Sequence, residues 1–321
     1  NTPAEDTNTP AEDNTPAEDA TPVETRENKV IYGSSTEISG DLGNAWWTNN
    51  ASDKAVRDLI NDYDTVIFDQ FGQMVMNQTT AASIDETKND DGTLTFTVKI
   101  NEGLTYNNGE PITAADYVAY ALVQLSPATK EAGATVTANS VFGGPEYQNG
   151  ETKELAGVRL LDPYTYSIQI AADYANYYYA FSYASLSPLY LPMYASADLT
   201  VKDDGNGVYL TDNFYAKSGD SYTMAAHIKA TSKDTDTTKY PYSGPYVVES
   251  YDASTKTAVL KKNTYYKGNF ENAKPAIEKI VYKKVVSETQ LEDLKSGGVD
   301  VLMGVTGGDA TKEALKLIDT S

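Results

Sequence analysis

Residues 91–118, which read DGTLTFTVKINEGLTYNNGEPITAADYV, decide the fold. Between Leu94 and Ile100, apolar side chains alternate with Thr and Lys, which is typical of a strand with one buried face. Asn108-Gly109 predicts a tight turn, and Thr113-Ala-Ala-Asp116 predicts a capped helix start. A strand, a turn and a capped helix in this order indicate a globular body that mixes strands with helices.

The flanking sequence continues this mixture on both sides. Upstream we predict a short strand at 30–32 and a helix over 52–63 with Ser52 as its N-cap. Downstream the patterns predict a strand at 164–170, a hairpin of 246–248 with 258–260, a strand at 280–286, a helix from the capping box Ser287–Gln290, a strand at 299–303 and a last helix at 309–317. Residues 128–152 are predicted to be loop, and residues 195–240 an exposed polar excursion. Strand, helix and strand in succession imply a parallel crossover, so we predict an α/β fold of mixed α+β composition.

Composition excludes several classes of protein. The chain has 321 residues, no Cys, one His and a formal net charge of -21. The absence of Cys excludes disulfide scaffolds, cysteine-ligated zinc and iron–sulfur clusters, and a single His excludes multi-histidine metal sites. We therefore expect neither a metal nor a cofactor. The acidic charge argues against a nucleic-acid binder, and no apolar run reaches the 18 residues typical of a membrane span.

Residues 1–27 form an acidic tail that repeats Asn-Thr-Pro-Ala-Glu-Asp at 1–6, 8–13 and 14–19. The tail contains eight acids against one base, and Val23 is its only large apolar side chain. Such a segment buries too little apolar surface to offset its ordering entropy, so we predict that it is disordered. It is either a solvated tail without a role or a tether that holds the body away from a surface; we favour the tether.

Catalytic motifs are missing. We find no Gly-x-Ser-x-Gly elbow, no Gly-x-Gly-x-x-Gly and no phosphate-binding loop, and no motif surrounds His227. We therefore predict that the protein is not an enzyme. Tyr outnumbers Phe by 25 to 7, which suits a wet binding cleft, and Trp46-Trp47 lies in a polar stretch. At least one Trp lines a ligand cleft, or one of them fills the core.

From about Asn28 to its end, the chain resembles the family 5 extracellular solute-binding proteins, the oligopeptide- and dipeptide-binding receptors of ABC importers. The resemblance rests on the order and spacing of several motifs: Gly33–Ser39, the run 91–118, Gly157–Thr165, Ser243-Gly-Pro-Tyr246, Lys262–Tyr266 and Gly297–Asp300. Thr264 stands where the family usually has Pro.

The resemblance implies a periplasmic-binding-protein type II-like lobe with an inserted subdomain. We expect residues 28–60 and 171–321 to form the first lobe and residues 61–170 the inserted subdomain. The chain is about half a family member in length, so we expect that the C-terminal lobe is missing. The last helix would then lack the element that follows it.

The resemblance also implies a function. The protein would be the substrate-binding component of an ABC importer that captures oligopeptides or dipeptides outside the membrane by clamshell closure. Its partners would be a peptide or other small solute and the permease subunits. The receptor would be a monomer, either periplasmic or held at the cell surface as a lipoprotein by a lipid anchor that this chain lacks.

By motif position, Glu37 and Ser39 match cleft-lining residues of the family. Trp46, Trp47, Tyr242 and Ser243 are further candidates for ligand binding. The family's acidic partner for a peptide N-terminus lies in the opposing lobe. Two alternatives stay open at this point: a cell-wall or glycan-binding adhesion module, suggested by the repetitive tail, and a secreted glycan-active enzyme, suggested by the aromatic and carboxylate side chains.

Overall fold

The computed structural model describes residues 28–43, 46, 49–194, 198–211, 213–231 and 239–318. The predicted tail at 1–27 and Trp47 therefore lie outside the described residues. The strands are β1 Lys29–Ser34, β2 Val66–Phe68, β3 Met74–Met76, β4 Ala81–Lys88, β5 Leu94–Ile100, β6 Val158–Asp162, β7 Thr165–Ile170, β8 Val201–Asp203, β9 Val208–Leu210, β10 Lys217–Ser218, β11 Ser221–Tyr222, β12 Tyr246–Asp252, β13 Thr257–Lys262, β14 Lys279–Lys284 and β15 Val301–Met303. The helices are α1 Ala51–Ile60, α2 Ala114–Gln124, α3 Pro127–Glu131, α4 Gly144–Gln148, α5 Ala172–Ala175, α6 Thr223–Thr231, α7 Gln290–Lys295 and α8 Gly308–Ile318.

A five-stranded mixed sheet forms the smaller body, in the order β12-β13-β14-β1-β15. Strand β13 runs antiparallel to both of its neighbours, β12 and β14, and its pairing with β12 confirms the predicted hairpin. Strand β1 lies between β14 and β15 and runs parallel to both, so the chain crosses over β1 through α7 as predicted. Helix α1 packs Val56 and Ile60 into a cluster with Leu260 and Tyr282 of the sheet.

A four-stranded antiparallel sheet in the order β4-β5-β7-β6 supports the larger body. Strand β5 is central, and its alternating side chains from Leu94 to Ile100 are buried on one face, as predicted. Helix α2 begins at the predicted capping box, in which Thr113 N donates to Asp116 Oδ2 at 2.8 Å. Its apolar face is buried in the larger hydrophobic cluster.

Tyrosine fills much of this larger core. Tyr106, Tyr117, Tyr147 and Tyr166 are among the largest fully buried side chains. Their hydroxyl groups find partners inside the fold: Tyr117 donates to Tyr63 O at 3.0 Å, and Tyr147 donates to Leu122 O at 2.8 Å. The excess of Tyr over Phe thus reflects, in part, hydrogen bonds within the core and not only a wet cleft.

Two predicted loops were wrong in part. Within 128–152 the chain forms α3 and α4, because Pro127 ends α2 and also begins α3, where its missing N–H costs nothing. Residues 195–240 were predicted to be exposed, yet Val208, Leu210 and Phe214 are buried in the larger cluster. Short strands separated by polar turns conceal these contacts in the sequence.

Helix starts also differ from the predictions. Asn50 is the N-cap of α1, because its Oδ1 accepts from Ser52 N at 2.9 Å and Asp53 N at 3.1 Å. The predicted cap, Ser52, is buried and donates its hydroxyl to Thr36 O at 2.8 Å. Helix α7 begins after Thr289, whose side chain makes no capping bond, so the predicted capping box at Ser287–Gln290 does not form.

The two bodies meet where α1 ends. Gly244 N donates to Ile60 O at 2.8 Å, and a Cβ on Gly244 would lie 2.3 Å from Ile60 C. Asn263 Nδ2 donates to Gly244 O at 2.8 Å, which ties the two motifs around Ser243 and Lys262 together. Residues between Tyr63 and Ile228, together with Tyr266, supply the buried side chains of the larger cluster. The domain division into 28–60 with 171–321 and 61–170 stays a prediction.

Candidate functional site

Three parallel strands of the smaller body end at the same level. Ser34, the last residue of β1, pairs in register with Lys284, the last of β14, and with Met303, the last of β15. In sheets with parallel strands, ligands bind beyond the carboxyl ends of the strands, where loops diverge. We call this place the sheet edge, defined by Ser34, Lys284, Met303 and the loop 35–39.

The N-terminal turn of α1 holds the loop 35–39 in place. Asn50 Nδ2 donates to Glu37 O at 2.8 Å, and Ser39 N donates to Asp53 Oδ1 at 2.8 Å. The Ser39 hydroxyl donates to the other oxygen of Asp53, which is fully buried. The backbone of the loop is therefore fixed by the interior, and its exposed side chains are presented on a rigid support.

Glu37 is the exposed acid of the sheet edge. Its carboxylate forms an ion pair with Lys284 at the end of β14. The hydrogen bond from Lys284, together with its charge, lowers the pKa of Glu37. The charges of Glu37 and Lys284 therefore compensate each other at the sheet edge. A polar ligand can replace this ion pair by binding to either side chain.

Trp46 is half-buried and packs against the larger cluster. Its ring lies 6.0 Å from that of Tyr120 in an edge contact and 6.5 Å from that of Tyr194 in a stacked one. It also lines a small cavity of about 210 Å³ with Arg57, Asp64 and other residues. Trp46 therefore contributes both to the core and to the wall of a cavity.

Tyr242 and Ser243 face the interior, with exposed fractions of 4% and 1%. Tyr242 N donates to Asn107 Oδ1 at 2.7 Å, and the Ser243 hydroxyl donates to Asp62 O at 2.9 Å. These contacts join the two bodies. Ligand binding by Tyr242 and Ser243 stays a prediction.

The sequence did not single out Ser34, Asp53 or Lys284. Lys284 reaches Glu37 only because β14 and β1 are parallel and in register, and no local pattern encodes that pairing. The signal that was available is the polar N-cap segment Asn50–Asp53, which directly follows the loop. Among the described residues, no three acidic or histidine side chains are grouped to hold a metal ion. None of the described helices has the length and apolar character to cross a bilayer.

A family model described as bacterial extracellular solute-binding proteins, family 5 Middle, matches residues 78–319. No curated protein matches the chain. Among solved structures, OppA of Burkholderia pseudomallei is similar, with a TM-score of 0.58 and 20% identity over 91% of this chain and 49% of that one. A peptide-bound OppA of Listeria monocytogenes has a TM-score of 0.61 and 18% identity over 86% of this chain and 46% of that one.

A periplasmic EDTA-binding protein, EppA, is similar as well, with a TM-score of 0.58 and 18% identity over 92% of this chain and 46% of that one. The chain therefore spans about half the length of these structures. At such identities the likeness shows the fold, and it agrees with the predicted solute-binding-protein lobe. The family match covers more than half of the chain. The chain belongs to the family 5 bacterial extracellular solute-binding proteins.

Proposed function

We propose that this chain forms one wall of a receptor that captures an oligopeptide or dipeptide outside the membrane for an ABC importer. The observation that carries the proposal is the sheet edge, where three parallel strands end level in a chain of this family and present an exposed loop. Solved relatives include one bound to a peptide and one named for binding EDTA, so the solute class is the open part of the proposal.

Strand β15 supports a mode of peptide binding. It is the last strand of its sheet among the described residues, and it pairs on one side with β1. Val301 within it is 41% exposed. An extended peptide can pair its backbone with such an open edge while its side chains enter polar pockets. Glu37 and Lys284 would then bind the charged groups of the solute.

Capture would proceed by closure of an opposing lobe on the sheet edge, with a hinge between the lobes. No bond is made or broken in this mechanism. The closed form, as a monomer, would present a surface to the permease subunits. The acidic tail would act as a spacer to a lipid anchor, which places the receptor outside the membrane.

Native mass spectrometry and calorimetry of the complete gene product with a peptide library test the proposal. We expect saturable binding of peptides, and about tenfold weaker binding for Glu37→Gln, because the solute loses a charged partner. Glu86→Gln, an exposed change on β4, is the matched control and should bind as the unchanged protein does. The 321-residue chain alone should bind the same peptides weakly, since it offers one wall of the cleft.

Two outcomes would contradict the proposal. One is the absence of binding to peptides and to other small solutes, including sugars and metal chelates. The other is turnover of a polysaccharide that is lost when one carboxylate is replaced, which would favour a glycan-active enzyme.

A further inference from the structure

A separate cavity lies at the other end of α1, where the chain passes from the smaller to the larger body. It has a volume of about 680 Å³, and its lining includes Asp62, Asp64, Phe68 and Phe270. Volumes of about 300–1,000 Å³ are typical of sites for small molecules. Helix α1 has ten residues, so its two ends are about 15 Å apart, and this cavity is distinct from the sheet edge.

Asp64 is the group in this cavity that lacks a full set of partners. It is partly buried, and its Oδ1 accepts a hydrogen bond from the Ser187 hydroxyl. No donor among the described residues reaches its Oδ2, and no Lys or Arg in that part of the chain forms an ion pair with it. Asp64 lines both this cavity and the smaller one beside Trp46, so a ligand in either can approach it.

Asp62 carries a second charge in the same cavity. Its carboxylate accepts from Tyr63 N at 2.6 Å and from the Tyr266 hydroxyl, but it too has no ion pair among the described residues. Burial raises the pKa of Asp62, and it raises the pKa of Asp64 to about 6. Buried carboxylates are usually paired with a cation, so these two have unused capacity to bind one.

The cations nearby are already engaged. Lys54 pairs with Asp58 at 2.6 Å along α1. Arg57, which lines the smaller cavity, donates to Asp41 O at 2.7 Å. The charged groups that line the cavities around Asp64 are therefore Asp58, Asp62, Lys54 and Arg57, and within the described part of the chain neither cation forms an ion pair with Asp62 or Asp64.

The rest of the lining favours an organic cation over a metal ion. No three acids in the described part of the chain are grouped to hold a metal ion. Phe68, which is 57% exposed, and Phe270 offer aromatic surface to an apolar stem or to a cation. Asn77 and Asn269 add amide groups that can bind polar atoms of the same ligand.

We propose that this cavity is a second binding site, which takes an alkylammonium group with its charge against Asp64 and Asp62 and its methylene stem against Phe68 and Phe270. A lysine side chain of a peptide and a free diamine share this chemistry. The site goes beyond the proposed function, because it needs no opposing lobe and lies away from the sheet edge.

Calorimetric and NMR titrations of the 321-residue chain test this site. The probes are 1,5-diaminopentane, the N-acetyl amide of lysine, and the N-acetyl amide of norleucine as an uncharged analogue of similar length. We expect saturable binding of at least one cationic probe and none of the norleucine probe. Stronger binding of the diamine would indicate a free amine as the source, and stronger binding of the lysine probe would indicate a peptide.

Substitutions make the test specific. Asp64→Asn should weaken binding at least tenfold, whereas Asp90→Asn, an exposed change in the β4–β5 turn, should leave it unchanged. Binding to the unchanged chain should strengthen between pH 5 and pH 7 as Asp64 ionises, and Asp64→Asn should flatten this dependence. Circular dichroism of each variant verifies that it is folded.

The proposal is overturned if no probe binds saturably at millimolar concentration, if norleucine binds as well as lysine, or if the two Asp variants behave alike. Solute capture at the sheet edge is tested separately with the complete gene product. Failure of one proposal therefore leaves the other standing.

Discussion

The two ends of α1 use carboxylates in opposite ways. At the N-terminal end, Asp53 accepts from Ser39 N and Gly40 N, and Glu37 is paired with Lys284. At the C-terminal end, Asp62 and Asp64 have hydroxyl and backbone donors but no ion pair among the described residues. A helix dipole favours negative charge at its N-terminus and disfavours it at its C-terminus. Acids at the first end therefore stabilise the fold, and acids at the second are suited to bind a cation from outside.

The largest expected effect comes from breaking the contact that holds the second end in place. Gly244→Ala would bring a Cβ to 2.3 Å from Ile60 C and 2.6 Å from Asn61 N. Both are backbone atoms and cannot rotate away, so we expect a loss of about 3–4 kcal/mol in the free energy of unfolding, measured in urea.

Gly308→Ala is the matched control. Gly308 has open space around its Cβ position and lies at the start of α8, so its replacement should be neutral or slightly stabilising. Equal effects of the two changes would show that the contact between Gly244 and Ile60 does not hold the end of α1 in place.

Replacing Asp53 tests the first end. Asp53→Ala removes the acceptor for Ser39 N and for the Ser39 hydroxyl inside a fully buried site, and we expect a loss of about 2–3 kcal/mol in the same measurement. Asp53→Asn keeps one acceptor oxygen and should lose about half as much. If Asp53→Ala is as stable as the unchanged chain, then the loop 35–39 does not depend on α1.

The pH dependence of stability tests the second end. Burial raises the pKa of Asp64 to about 6, so the folded state binds more protons than the unfolded state between about pH 4 and pH 6. Stability should therefore fall as pH rises through this window, by about 2 kcal/mol from Asp64. The difference between the unchanged chain and Asp64→Asn, measured by urea unfolding at pH 4.5 and pH 7, isolates this contribution. A constant difference would contradict it.

The smallest effect on stability is expected at the exposed pair. Glu37→Gln should leave the unfolding midpoint unchanged, because solvent screens the charge pair between Glu37 and Lys284. The same variant should bind solute more weakly in the complete gene product, so its two readouts separate a binding role from a structural one. A clear loss of stability would instead assign Glu37 to the scaffold.

The elements that sequence predicted best are those with a strong local signal. Strand β5 and the capping box of α2 have it, because alternation and a cap are properties of neighbouring residues. Residues 208–214 lack a local signal, because their strand, β9, is only three residues long. Their side chains are buried only by contact with the larger body. The N-cap of α1 was misplaced by two residues, since Asn50 and Ser52 are both good caps and only the packing of Ser52 separates them.

The candidate site was predicted only where it coincides with a motif. Glu37 and Ser39 belong to the motif that follows the first strand, and their positions in that motif identified them as candidates for ligand binding. The partner of Glu37, Lys284, lies 247 residues away, and Tyr266 lies 204 residues from Asp62. Pairs of this kind arise from the register of β1 with β14 and from the contact between the two bodies, which no periodicity reveals.

The sequence by itself determined the mixed α/β class, the order of the strands and helices around 91–118, and the family, because each depends on local patterns and their spacing along the chain. Only the tertiary structure decided that β14, β1 and β15 end level, that Tyr242 and Ser243 are buried, and that Asp62 and Asp64, which form no ion pair with any described residue, share one cavity. The physical reason is that burial and charge compensation depend on which distant segments meet.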